Sequence, residues 1–161
     1  MASDFIIREA GMADAQALFE AHQDSVQNLC AGTYSEAQLA VWFEDRSPEI
    51  YRPDIEAKLI WLVERSSRVL GFVGFAPGEV KLLFVRKEAA GLGLGKRLFS
   101  LGLQRAESGF SGPLTVVATH NSRSFYEKHG FVPVGKDDLV RGKAEIRIQV
   151  VKMQRVLAAA S

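Results

Sequence analysis

The sequence predicts a mixed α/β (α+β) domain, a twisted mixed β-sheet flanked by helices in the order β-α-α-β-β-β-α-β-α-β-β. Three observations carry this expectation. Short runs rich in β-branched and aromatic residues alternate with segments whose apolar residues recur every three or four positions. A glycine-rich turn, AGLGLGKR at 90–97, joins one such run directly to one such segment. The chain has 161 residues and is 47% apolar, which suits one substantial core and a single domain, 1–161.

The elements follow in order. DFIIRE, from Asp4 to Glu9, reads as a short strand. ADAQALFEAHQDSVQNL then places Leu18, Ala21, Ser25 and Leu29 on one face at helical spacing, with His22 facing solvent. Ser35 opens a second helix, SEAQLAVWFED, because Ser35 and Gln38 have capping-box spacing. Leu39, Trp42 and Phe43 form its apolar side. The segment from Asp45 to Lys58 is polar and carries Pro48 and Pro53, so it reads as a loop, either a lid or a connector. LIWLVERSSRVLGFVGFA holds two β-rich runs around Ser66 and Ser67, the pattern of an antiparallel hairpin. EVKLLFV, after Pro77 and Gly78, is the strand that leads into the glycine turn. From Leu94 to Glu107 the pattern is helical, and Gly109 ends it. PLTVVAT is a strand, and NSRSFYEKHG is a short helix with Asn121 as N-cap, Gly130 as its end and His129 facing solvent. FVPVG and EIRIQVVKM are the last strands, and the tail 156–161 is expected to fray.

Composition excludes several functions. Twenty basic and 19 acidic residues leave a net charge of +1, which provides no field for nucleic acid or an anionic membrane. The one cysteine, Cys30, cannot form an intrachain disulfide and sits in an apolar helical pattern, so it reads as a small buried side chain in a reducing compartment. The N-terminus lacks a signal-peptide pattern, and no apolar run is long enough to span a bilayer. A cytoplasmic protein is expected.

The glycine turn raises the chemical question. A strand-to-helix turn presents N–H groups that have no partner within the helix. Those groups and the helix dipole favour an anion, and glycines let phosphate oxygens approach the main chain. Lys96 and Arg97 add positive charge. Two familiar phosphate loops do not match. A Walker loop requires glycine at Ala90 and a hydroxyl at Arg97, and a dinucleotide fingerprint starting at Gly91 requires glycine at Lys96. A tight turn that binds nothing is the alternative.

A second motif, FYEKHGF at 125–131, decides between these readings. The frame FVRKEAAGLGLGKRLF, followed by FYEKHGF and preceded by IREAGMADAQALF at the N-terminus, resembles the GNAT-type N-acetyltransferase superfamily. The resemblance covers nearly the whole chain. Ala90 stands where that family has Gln or Arg, Lys87 where it has proline, and Thr119 where many members have a cofactor-contacting asparagine. The resemblance implies a splayed sheet, open between EVKLLFV and PLTVVAT so that a thioester lies in the gap. It implies acetyl-CoA as co-substrate, with no metal. Main-chain N–H groups of Leu92, Gly93, Gly95 and Lys96 would cradle the pyrophosphate, and the main chain of Leu83 and Val85 would pair with the pantetheine arm. Asn121 is a further candidate contact to the cofactor.

The implied reaction moves an acetyl group to a primary amine of a small molecule or peptide. Such chemistry calls for a proton donor to the leaving thiolate, and Tyr126 is the candidate. Glu79 and His120 are the candidate bases, with water chains as the alternative. Tyr34 and Trp61 are the candidate acceptor-binding aromatics, while Trp42 and Phe43 read as core. A homodimer is one arrangement the family suggests. A non-catalytic acyl-CoA-binding module is the competing reading.

Overall fold

A computed structural model describes residues 4–155. Seven strands are formed: β1 (Ile6–Glu9), β2 (Ile60–Arg65), β3 (Arg68–Ala76), β4 (Glu79–Val85), β5 (Leu114–Ala118), β6 (Val132–Arg141) and β7 (Ile146–Arg155). They make one sheet in the order β1-β2-β3-β4-β5-β7-β6, antiparallel throughout except for β4 beside β5. The helices are α1 (Ala15–Leu29), α2 (Glu36–Val41), α3 (Arg52–Glu56), α4 (Leu94–Glu107) and α5 (Arg123–Glu127), with short 3-10 turns between some elements. The expected order holds with one addition, α3. The tail expected to fray, 156–161, lies outside the described residues. No described helix is long and apolar enough to cross a membrane.

Local chemistry explains the boundaries. Ser35 Oγ accepts from the Gln38 N–H at 3.1 Å and Gln38 Oε1 accepts from the Ser35 N–H at 2.9 Å, so the capping box starts α2 as its spacing predicts. Ser66 and Ser67 both adopt positive φ, 52° and 63°, which suits the two-residue turn of the β2–β3 hairpin. The polar segment after Asp45 is not one open loop. Proline at its start favours α3, which Tyr51 and Ile55 anchor in the core at 1% and 5% exposure. That portion is therefore a fixed connector.

The helices cover both faces of the sheet. On one face α4 and α5 pack over Val63, Val73, Val80 and Val116. On the other, α1 and α3 pack over Leu62, Phe72 and Leu82, and α2 lies nearer Ile148. Gly102 lets α4 approach closely, because a Cβ there would stand 2.7 Å from Val73 Cγ2.

A β-bulge interrupts β4. Gly74 pairs with Leu82 and Phe75 with Val80, so Lys81 is the extra residue. The bulge reverses the side-chain alternation: Val80 packs on the α4 face, whereas Leu82 and Phe84 pack on the α1 face. The β4–β5 pairing consists of Glu79 with Thr115 and Val80 with Val116, and it stops at the bulge. Beyond it the two strands diverge, as the family resemblance implies.

Two histidines differ from expectation. His22 is buried at 8% exposure, with Nδ1 2.7 Å from the Tyr51 hydroxyl and its ring stacked on Phe84 at 3.8 Å. His129 is half-buried against Phe99 and Phe125. Both expectations failed because helical periodicity around a polar ring does not reveal what packs against it. Burial pushes the His22 imidazole down from 6.5 to about 3, with help from Arg141 and Arg46. Below pH 6.5 the unfolded chain takes up a proton that the folded chain refuses. The stability due to His22 is thus complete above pH 6.5 and is lost as the pH falls toward 3, at about 1.4 kcal/mol per unit. Urea unfolding at pH 7.5 and 5.0 should show a loss of about 2 kcal/mol in the wild type. The His22→Gln variant should lose much less, and an equal loss would refute the assignment.

Candidate active site

The divergence of β4 from β5 leaves a cavity of about 230 Å³. Lys81, Leu83, Phe84 and Val85 form its β4 wall, and Val117, Thr119, Asn121 and Ser122 form the opposite wall. Ser25, Leu29 and Cys30 close one side from the end of α1, and Phe125 and Tyr126 close another from α5. Leu29, expected on the buried face of α1, is 36% exposed because it faces this cavity. One edge of β4 is bonded to β3, Leu83 opposite Val73 and Val85 opposite Gly71. Its other edge has no strand partner past Val80. An extended chain inserted there can bond to it as an added strand would.

The glycine turn continues this space. A hollow of about 330 Å³ is lined by Ala90, Gly91, Gly93 and Lys96, and it shares Val85, Gly95 and Phe125 with the cavity. Gly91 and Gly93 have φ of 84° and 77°, and nothing lies within 4 Å of where their Cβ atoms would be. These two glycines are required by backbone conformation and not by crowding. The Ala90 N–H donates to Lys87 O and the Arg97 N–H to Gly93 O. Among the described residues, the N–H groups of Gly91, Leu92 and Gly93 have no protein partner. Leu94, Gly95 and Lys96 open α4, where N–H groups have no partner one turn back. The turn is held in place from behind. Arg86 is buried and donates through Nε to Val69 O at 2.7 Å, and the Lys87 N–H donates to Asp24 Oδ2 of α1 at 2.8 Å.

Tyr126 lines the β4–β5 cavity, next to Phe125, which both spaces share. Phe99, Phe125 and Phe131 surround its ring at centroid distances of 5.2, 5.3 and 6.2 Å. It is 6% exposed and lines the cavity, and its hydroxyl has no hydrogen-bond partner among the described residues. Burial raises its pKa well above the usual phenol value. The hydroxyl is therefore a protonated donor at neutral pH.

Residues 30–156 match the family model for the acetyltransferase (GNAT) domain. The chain belongs to the GNAT acetyltransferases. Membership makes it an acetyl-CoA-dependent acyltransferase. A GCN5-related N-acetyltransferase from Rhodopseudomonas palustris is similar at 21% identity and a TM-score of 0.86, over 98% of each chain. The PaiA N-acetyltransferase of Thermoplasma acidophilum, solved with coenzyme A, is 21% identical, with a TM-score of 0.74 over 95% of this chain and 99% of that one. YncA of Salmonella typhimurium, solved with acetyl-CoA, is also 21% identical, with a TM-score of 0.68 over 99% of this chain and 97% of that one. No curated protein matches the chain.

The GNAT frame brings together Leu83, Val85, Gly93, Gly95, Lys96, Asn121 and Tyr126 around the two connected spaces. Leu92 lies on the turn itself and is 50% exposed. Asn121 is not the side-chain cap of α5: its Nδ2 donates to Leu29 O at 3.2 Å, tying β5 to the end of α1. Four other candidates stand outside the cavity. Glu79 is at the joined end of β4 and β5, paired with Ala76 and Thr115. The His120 ring turns to Gln149, with Nε2 3.2 Å from Oε1. The Tyr34 hydroxyl is committed to the main chain, donating to Gln149 O at 2.7 Å and accepting from the His120 N–H at 3.0 Å. Trp61 lies on the α4 face with the Arg105 guanidinium 4.9 Å over its ring. Trp42 is core, as expected, at 4% exposure against Tyr34, and Phe43 packs on Phe19 and His22.

Sequence reasoning missed Cys30, Lys81 and the hydroxyl pair of Thr119 and Ser122, 2.8 Å apart in the wall. The buried Cys30 thiol is pushed up by burial, which keeps it protonated. Lys81 is turned aside by Asp54, 3.1 Å away. Among the described residues no cluster of three metal-ligating side chains occurs.

Gly95 separates fold from binding. Its absent Cβ would meet only Val85 Cγ2, at 3.8 Å, so the fold accepts alanine there. Gly95→Ala should raise helix stability by up to about 1 kcal/mol, yet place a methyl group in the shared space. Calorimetric titration should show coenzyme A affinity reduced at least about tenfold with no fall in Tm. Unchanged affinity would mean that ligand does not pass Gly95.

Proposed function

We propose that the protein is an N-acetyltransferase that moves the acetyl group of acetyl-CoA to a primary amine by direct attack, with Tyr126 as general acid. The observation that carries this reading is a buried tyrosine whose hydroxyl, without a partner among the described residues, lines a cavity continuous with a hollow of partner-free N–H groups. The residues present fit the co-substrate. Leu92, Gly93, Gly95 and Lys96 would receive its pyrophosphate at a helix start. The free edge of β4 at Leu83 and Val85 would receive the pantetheine arm, with Asn121 beside it. PaiA with coenzyme A and YncA with acetyl-CoA support the choice of ligand.

Acetyl-CoA supplies an acyl group activated as a thioester. The amine nitrogen forms the new C–N bond, the C–S bond breaks, and the sulfur leaves with a proton. Tyr126 is the donor of that proton, which its raised pKa keeps in place until sulfur takes on charge. The amine must also lose a proton. Glu79 and His120 stand away from the cavity, so we assign this proton to water, relayed along the polar wall of Ser25, Thr119 and Ser122. The developing oxyanion can be met by main-chain N–H groups of the open β4 edge.

The acceptor is a small-molecule or peptide amine, and the near-balanced charge of the chain favours neither nucleic acid nor membrane as partner. Strand β6 ends the sheet with Val132, Val134 and Val140 at 58%, 54% and 44% exposure, which supports pairing of two copies through this edge. The single free thiol of Cys30 suits the cytoplasm.

Tyr126→Phe removes only a hydroxyl that has no hydrogen-bond partner among the described residues. It should lower kcat by about 10²- to 10⁴-fold while leaving coenzyme A affinity and Tm near those of the wild type. Unchanged turnover with a good acceptor would remove Tyr126 from the mechanism. Coenzyme A binding with no turnover on any amine would favour the non-catalytic module.

A further inference from the structure

A third hollow, of about 120 Å³, lies on the α1 side of β4 and shares no lining residue with the two spaces assigned to coenzyme A. Two guanidiniums share it, from Arg46 after α2 and Arg141 at the end of β6. Among the described residues neither forms an ion pair. Arg141 Nε is buried and has no hydrogen-bond partner, and its Nη1 donates only to its own Val140 O at 3.0 Å. A buried guanidinium N–H left unpaired is destabilising, and a second cation beside it makes matters worse. Burial, followed by Arg46, disfavours the charged form of Arg141, while Asp45 opposes them. The geometry asks for an anion.

The surroundings say which kind. Glu44 and Asp45 stand on the segment next to Arg46, and the Glu44 carboxylate lies where a Cβ on Gly142 would meet it at 2.7 Å. Neither acid closes on Arg46 or Arg141 within ion-pair distance, and Asp45 offsets only part of the effect of burial and Arg46 on Arg141. The unpaired Arg141 Nε–H asks for an anionic acceptor, the acids nearby disfavour a multiply charged one, and the planar guanidinium fork suits a carboxylate. The other walls are Trp42, Phe43, Ile50 and Leu82, with His22 held neutral against Tyr51. They fit a short apolar stem. The hollow adjoins the β4–β5 cavity: Leu82 lines the one, its neighbours Lys81 and Leu83 line the other, and His22 of the first stacks on Phe84 of the second.

We propose that this hollow holds the carboxylate of the acceptor, so that the substrate is a small amine carrying a carboxylate on a short apolar stem. This deepens the acetyl-transfer reading and rests on it. Arg141 and Arg46 set specificity by pairing with the carboxylate, and the amine end reaches toward the β4–β5 cavity.

The test uses matched acceptors with the intact protein: amino acids such as leucine and 4-aminobutyrate, their uncharged counterparts leucinamide and butylamine, and an aminoalkylphosphonate. The wild type should acetylate the carboxylates with kcat/KM at least tenfold above the uncharged partners. Arg141→Gln and Arg46→Gln should each raise KM for the carboxylates at least tenfold and change KM for the amides less than twofold. Equal use of both forms, preference for the phosphonate, or equal loss on both in the variants would overturn the proposal. Coenzyme A titration of each variant shows whether the fold and donor site persist. A direct readout separates this proposal from the catalytic one. In the NMR spectrum of labelled wild type, the Arg141 Nε–H signal should shift and saturate with a carboxylate amine, whether or not turnover occurs. No shift at tens of millimolar would reject the carboxylate site even in an active enzyme.

Discussion

The extra residue in β4 is the constraint on which the rest depends. Lys81 has no partner of its own on β3, so the strand gains local twist at that point and its pairing with β5 ends. Without the bulge, two parallel strands would continue to bond and no gap would exist between them. With it, one β4 edge keeps β3 and the other is open over Leu82 to Val85. The bulge also turns Leu82 and Phe84 to the α1 face while Leu83 and Val85 remain over α4. Both faces are therefore packed along a strand that is open at one edge, which keeps that edge rigid.

The other elements assemble around this opening. Helix α4 begins where β4 ends and is held close to the sheet by Gly102 against Val73, so its N-terminal amides stay fixed beside the gap. Asp24 and Arg86 fix the turn from the α1 side, and Asn121 ties the far wall to the same helix. Aromatic packing from Phe99 and Phe131 sets the tyrosine of α5 in the wall of the β4–β5 cavity. Within the turn, positive φ is needed at Gly91 and Gly93, where glycine adopts it without strain. On the proposed reading binding draws on main chain, which would let Ala90 replace a larger polar residue in this frame.

Much of this was legible in the sequence because it depends on local pattern. Alternation and helical spacing located the strands and the main helices, the Ser35–Gln38 spacing located a cap, and the glycine turn with the tyrosine motif pointed to the GNAT family. What was not legible depends on long-range packing. EVKLLFV is apolar on both faces after Lys81, so periodicity could not reveal the phase change at the bulge. His22 was assigned to solvent because its partners, Tyr51 and Phe84, lie far off in sequence. Tyr34 and Trp61 are aromatics of the right type for a pocket, but one braces the main chain of His120 and the other carries Arg105 on the far face. Arg46 and Arg141 are 95 positions apart and carry no motif, so only the fold brings them together.

The most direct test of the account is amide hydrogen exchange, followed residue by residue with and without saturating acetyl-CoA. The amides of Leu92, Gly93, Gly95 and Lys96 have no partner in the fold or stand at a helix start, so they should exchange fast in the free protein. With acetyl-CoA they should slow at least about tenfold as the pyrophosphate accepts their hydrogen bonds. Saturating ligand that leaves these four amides unchanged would contradict the account, since the co-substrate would then bind somewhere other than the turn and the open edge of β4.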